Sequence, residues 1–141
     1  RWYCVKAGVS GGNPAPVWRS LSFNSGSNSS SGRYTPVVTN IANIDKAAVS
    51  ACQYMRVGNI ITVSGELQVD PRGAGSIEIA LSLPVAAKLD APGDAAGTAA
   101  SSTGVMLRLS ADAAGHRVRV TGVAPNGGNA AYSFTFTYRV M

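Results

Sequence analysis

The chain offers little with which to run a reaction. His116 is its only histidine, so a histidine-based triad or metal site would lack the partners that orient an imidazole or close a coordination shell. Its parity with Val118 and Val120 turns it inward, as a packed and hydrogen-bonded residue at a strand start. Two carboxylate pairs, Glu66 with Glu78 and Asp70 with Asp45, have the residue types that glycoside hydrolysis uses. Glu66 and Glu78, however, fall on solvent-facing strand positions, and no neighbour implies a pocket that would raise a carboxyl pKa. The glycine-rich stretches PRGAGS (71–76) and PNGGNAA (125–131) neither keep phosphate-loop spacing nor lead into a helix, and read as turns. No catalytic residue, metal or cofactor is expected, since one histidine and two distant cysteines are too few for a closed zinc site.

Binding chemistry is better represented. Arg56, Arg108, Arg117, Arg119 and Arg139 fall opposite the apolar strand faces, which would line several of them along one outer sheet surface. A guanidinium matches a carboxylate or phosphate with two parallel hydrogen bonds, and Tyr54 nearby would add a stacking face for a sugar. Tyr54, Arg56, Arg108, Arg117 and Arg119 are thus the candidate ligand-binding residues. The competing reading is that these arginines solubilise a sheet or make subunit contacts. The net charge of +5 rests mostly on nine arginines spread along the chain. Without a basic cluster, a dedicated nucleic-acid surface is not expected.

The elements that must position these groups are strands. With 141 residues, 45% of them hydrophobic and 13% charged, the chain suffices for one domain with a real core and is too apolar for wholesale disorder. No run approaches the roughly 20 apolar residues of a bilayer-spanning helix, so membrane insertion is not expected. It begins at Arg1 without a signal-peptide pattern, which reads as a fragment of something longer. Cys4 and Cys52 leave open one long-range disulfide.

The stretch QYMRVGNIITVSGELQVDP (53–71) is the most legible. Ile61, Val63, Leu67 and Val69 alternate with Thr62, Ser64, Glu66 and Gln68, the pattern of a half-buried antiparallel strand. Gly58-Asn59 forms a two-residue hairpin connection, with glycine where a primed turn requires a positive φ. Gly65 interrupts the apolar face and signals a bulge or a close backbone approach. Strands follow in SIEIALSL, GVMLRLSA, HRVRVTG and AYSFTFTYRV, the last aligning Tyr132, Phe134, Phe136 and Tyr138. NIDKAAVSA reads as a helical turn or loop, and 84–103 as a long loop with a short strand near Thr98. Residues 61, 63, 67, 69, 79, 81, 107, 118, 134 and 136 are the expected core.

The expected fold class is all-β: an antiparallel, jelly-roll-like β-sandwich over 34–141, preceded by a small Trp-containing β-hairpin over 1–23. The serine- and glycine-rich 24–33 between them reads as a linker. A lone hairpin buries too little apolar surface to be stable. Trp2, Tyr3, Trp18, Leu21 and Phe23 therefore imply packing against the main domain or other chains.

Taken together, YTPVVTNIANID, QYMRVGNIITVSGELQVDP, IEIALSLPVA, AGTAAS and AYSFTFTYRV resemble the C-terminal β-domain of tailed-bacteriophage tail-fibre, tailspike and other virion-appendage proteins, over nearly all of 34–141. WYCVKAG and PVWRS look like the small hairpin repeats that precede such domains. The resemblance implies a homotrimer located in the virion and assembled in the bacterial host cytoplasm, with other virion proteins as partners. Its distal domain would bind a bacterial cell-surface glycan or lipopolysaccharide during host attachment. The alternative it implies is a non-enzymatic module that trimerises and caps the appendage. Any depolymerase activity would belong to an upstream region, and the resemblance carries no fixed ligand-binding motif.

Overall fold

The computed structural model describes residues 2–5, 17–20 and 29–140. Near the N-terminus, β1 (Trp2–Val5) pairs antiparallel with β2 (Val17–Ser20), in register from Trp2 opposite Ser20 to Val5 opposite Val17. The expected hairpin is thus formed, while its connecting loop and residues 21–23 lie outside the described residues, as do 24–28 of the stretch read as a linker.

The body contains ten strands: β3 (Ser29–Tyr34), β4 (Val38–Ala42), β5 (Ile44–Val49), β6 (Cys52–Val57), β7 (Ile60–Pro71), β8 (Gly75–Leu81), β9 (Ala95–Ser101), β10 (Met106–Asp112), β11 (Arg117–Ala124) and β12 (Ala130–Arg139). Every pairing is antiparallel, along the path β3-β6-β7-β12-β9-β10-β11-β8-β4, with β5 on the second half of β7. Because β4 pairs with β8 and β5 with β7, the chain between β4 and β5 bends at Asn43 to bring the two ends of the ladder together. Asn43 adopts a left-handed φ of 56° there, a conformation that Asn tolerates better than most residues. Its carbonyl accepts from the Arg72 amide at 3.1 Å and its side-chain Nδ2 donates to Gly73 O at 2.9 Å, which pins the β7–β8 corner beneath it.

The all-β antiparallel class expected from the sequence is the class observed. The strands follow one continuous ladder that curls on itself, where a jelly-roll-like sandwich implies two separate sheets. Among the described residues the sole helical element is a 3-10 turn at Pro92–Asp94. Gly58 has a φ of +61° and sits in the two-residue connection between Val57 and Ile60, as the primed turn demands.

Alternation sets the core. β7 and β12 bury every second residue, and all ten expected core positions are buried. Each such aliphatic or aromatic side chain contributes roughly 1.5–3 kcal/mol relative to exposure. Phe134, Phe136 and Tyr138 stack along one face of β12, with successive ring centroids 6.1 Å apart. Gly65 continues the β7–β12 register opposite Phe134 without a bulge, so close approach is its role. A Cβ there would run into the Cys52 sulfur.

Three segments differ from the sequence reading. Residues 29–33, linker-like by composition, form most of β3, because β6 offers them a free edge to pair with. NIDKAAVSA becomes β5, since β7 is long enough to ladder with two successive strands. Ala95–Ser101, of which only a short piece near Thr98 was expected to be extended, is a full strand between β10 and β12. Its small residues fit that position: a Cβ on Gly97 would strike Thr135 O and lie 2.6 Å from Phe136 Cα.

Candidate functional site

The outer face of the sheet is built row by row from cross-strand neighbours. One row runs Glu78, Thr121, Arg108, Thr98, Thr135, Ser64, Gln53, Arg33 across eight strands. The next runs Ala80, Arg119, Ser110, Ala96, Thr137, Thr62, Met55, Ser31. Between Arg108 and Arg33 the face is therefore hydroxyl and methyl apart from Gln53 and Met55. Thr62 and Thr137 approach to 3.4 Å between their Oγ1 atoms.

The five candidate binding residues do not converge. Arg117 and Arg119 come together on β11, at the β10–β11 hairpin end, but their guanidinium groups are engaged. Arg117 Nε donates to Asp112 Oδ2 at 2.8 Å, and Arg119 Nη2 lies 3.3 Å from Asp112 Oδ1. Arg119 Nε is 2.8 Å from Glu78 Oε1, a close charge contact in which the N–H is not aligned with the carboxylate. Asp112 is 5% exposed, hidden by the guanidinium groups laid over it and not by depth in the core. The Arg117 hydrogen bond holds its carboxyl below the usual carboxylate range, against the opposing effect of desolvation. Arg108 is exposed on the same face, flanked by Thr98 and Thr121.

Tyr54 and Arg56 lie on the other side of the sheet. Tyr54 is opposite Val63 and Arg56 opposite Ile61, both fully buried, so these two share the core side of β6 with Cys52. This corrects the assignment of Arg56 to the face opposite the apolar residues. The cause is the hairpin register: the two-residue connection Gly58-Asn59 pairs Val57 with Ile60 and hence Arg56 with Ile61 and Tyr54 with Val63, and cross-strand partners share a face. The Cys52 sulfur, on that same side, occupies the space that Gly65 leaves empty. Met55 and Val57, the more apolar set, face outward as a result. Tyr54 packs edge-on to Tyr34, with centroids 6.0 Å apart and planes at 79°, and its hydroxyl lies over Gly32. Arg56 Nε donates to Gly58 O at 2.8 Å, folding back on the hairpin turn. Tyr54 therefore does not stand beside Arg108, Arg117 or Arg119.

An open groove of about 480 Å3 lies beside β3, lined by residues including Ser31, Arg33, Gln53, Met55, Thr62 and Ser64 and, of the five candidates, by Tyr54. Sequence reasoning missed it because 29–33 read as linker, which removes one wall. Asp112 was missed too, although its place just before the four-residue turn 113–116 sets it opposite Arg117. Glu78, read as solvent-facing, is half-buried against Arg119.

His116 is exposed at that same turn, with a φ of 48°. This corrects the inward placement drawn from strand parity: the strand begins one residue later, so the parity of Val118 does not extend to it. Its Nδ1 accepts from the Leu89 amide at 3.3 Å. Leu89, fully buried, plugs the core from the loop 82–91. That loop is tied down at Val85, whose carbonyl accepts from the Tyr138 hydroxyl at 2.8 Å and whose amide donates to it at 3.1 Å. Burial pushes the Tyr138 hydroxyl up to about 12. At the next turn Asp94 Oδ2 accepts from the Asp90 and Ala91 amides at 2.8 and 2.9 Å.

Cys52 is a free thiol in the core, donating to Ser50 O at 3.2 Å, and burial raises its pKa. Among the described residues no group of three or more His, Cys, Asp and Glu is gathered, and no helix is long and apolar enough to cross a membrane. No protein-family model, curated protein or solved structure matches the chain.

Proposed function

We propose that this chain is the distal β-module of a tailed-phage fibre or spike, a non-enzymatic homotrimeric unit that folds and caps the appendage presenting it to the host. The observation that carries this reading is the outer face. Its centre is Ser, Thr and Ala, while the arginines of β11 are spent on Asp112 and Glu78. The centre of this face carries no charged side chain, and subunit interfaces keep charge out of their core. Closed rotational symmetry would bury such surfaces without leaving a filament-forming end. The choice of three copies, and of a virion location, rests on the sequence resemblance.

A second reading, attachment to a bacterial surface glycan or lipopolysaccharide, is favoured by the groove beside β3. There Gln53 and Arg33 supply an amide and a guanidinium beside Ser31, Thr62 and Ser64. Neutral polar side chains with one cation match the hydroxyls and occasional carboxylates of a polysaccharide. Sedimentation of the chain at micromolar concentration, paired with a screen on a bacterial glycan array, separates the two. A trimer that ignores every glycan supports the capping role. Glycan binding lost in Arg33→Ala and Gln53→Ala moves the function to the groove, and a monomer that binds nothing sinks both.

A further inference from the structure

We infer that an outward apolar patch at the tip of the β6–β7 hairpin is the seat of the N-terminal Trp-containing hairpin. Met55, Val57 and Ile60 are neighbours on the outer face, with Met55 opposite Thr62 and Val57 opposite Ile60. Met55 is 57% and Ile60 45% exposed. Around them the face reads Ser31, Thr62, Thr137 and Arg139. Elsewhere between Arg33 and Arg108 this face carries hydroxyls, methyls and the Gln53 amide, so the fold itself does not call for three larger apolar side chains here. Three adjacent apolar side chains on an otherwise polar face offer a surface that an apolar segment can cover.

The course of the chain names the occupant. The body begins at Ser29, whose cross-strand partner is Val57, so residues 1–28 arrive at the rim of the patch. Those residues carry Trp2, Tyr3, Val5, Val17 and Trp18. They hold two paired four-residue strands, and a two-stranded hairpin is marginal at best without a surface to pack on. Residues 21–28 separate β2 from β3, and eight residues reach at most about 28 Å, ample for the hairpin to fold back over a patch that starts beside Ser29. The groove of about 480 Å3 next to Met55 lies within the roughly 300–1,000 Å3 of clefts that hold drug-sized ligands, and so has room for an indole ring. Electrostatics does not supply the attraction: Arg1, Lys6 and Arg19 would approach Arg33 and Arg139. The contact is an apolar one, and added salt leaves it intact or tightens it.

Both tryptophans of the chain lie in this segment, so intrinsic tryptophan emission reports on the hairpin alone. The test compares the whole chain with a Met55→Ser, Ile60→Thr double variant, whose hydroxyls match the surrounding face. Expected are a blue-shifted, weakly acrylamide-quenched emission in the parent, and a red shift with several-fold stronger quenching in the variant at an unchanged thermal midpoint of the body. The control is Met106→Ser, Val123→Thr, which removes two other exposed apolar residues, 60% and 63% exposed, and is expected to leave the tryptophans protected. Parent tryptophans as quenchable as free tryptophan, a patch variant with unaltered emission, or equal exposure in the control would each overturn the inference. Sedimentation of the same samples separates it from the trimer. Protection in a monomer seats the hairpin on its own body and refutes the trimer alone, whereas protection confined to the trimer seats it on a neighbouring copy.

Discussion

Gly65→Ala is expected to destabilise the body, and Cys52→Ala to relieve most of that cost. Gly65 has no positive φ, so the added methyl meets no backbone strain and would by itself gain up to about 1 kcal/mol from a stiffer unfolded chain. Against this, its Cβ would run into Cys52 Sγ and lie 3.3 Å from Phe134 Cζ, with Cys52 fully buried and Phe134 nearly so. Overpacking of this kind costs roughly 1–3 kcal/mol, which leaves a net loss of about 1–2 kcal/mol. Cys52→Ala alone costs about 1 kcal/mol for the lost apolar volume. In the double variant the methyl introduced by Gly65→Ala enters the space the sulfur vacates, so the two costs are expected to cancel in part, with a coupling of about 1–2 kcal/mol. Urea unfolding at one fixed protein concentration measures this. With a slope of roughly 2 kcal/mol per molar, Gly65→Ala lowers the midpoint by about 0.5–1 M. A Gly65→Ala midpoint equal to the parent's, or costs that simply add, would refute the account of the Gly65–Cys52 contact.

Three further outcomes are expected. Asp112 has a depressed carboxyl pKa in the folded state, so its stabilisation is complete above the unfolded value of about 3.9 and fades as pH falls through the folded value. Asp112→Asn should flatten that acid limb of a stability–pH curve, and an unchanged limb counts against the ion cluster. Tyr138→Phe removes both hydrogen bonds to Val85 at a cost of about 1–2 kcal/mol, and hydrogen exchange should rise first in 82–91. Tyr138 is pushed up to about 12, so its share of stability is complete below the unfolded value of about 10 and is lost as pH climbs toward the folded one; the variant should make the alkaline limb shallower, with Tyr34 and Tyr132, also raised by burial, keeping part of it. Gly97→Val drives a side chain into the β12 backbone at Thr135 and Phe136, where no rotamer offers relief. It should abolish the near-ultraviolet circular dichroism of the packed aromatics, and a native spectrum would show that β9 and β12 are not so closely apposed.

What the sequence determined by itself was everything governed by period and by turn chemistry. The alternation of Ile61, Val63, Leu67 and Val69, and of Tyr132 through Tyr138, assigns one face of β7 and β12 to the core whatever they pair with. Gly58 marks the hairpin between β6 and β7 because few other residues take its φ. Tertiary structure alone decided what depends on a partner. Residues 29–33 and 44–49 have weak strand preferences of their own and are extended because β6 and β7 present them with open edges. The candidate site dispersed for the same reason. Parity places each arginine on a face of its own strand, but whether two arginines meet, and whether a buried carboxylate such as Asp112 already holds them, is set by strand order, which no local pattern encodes.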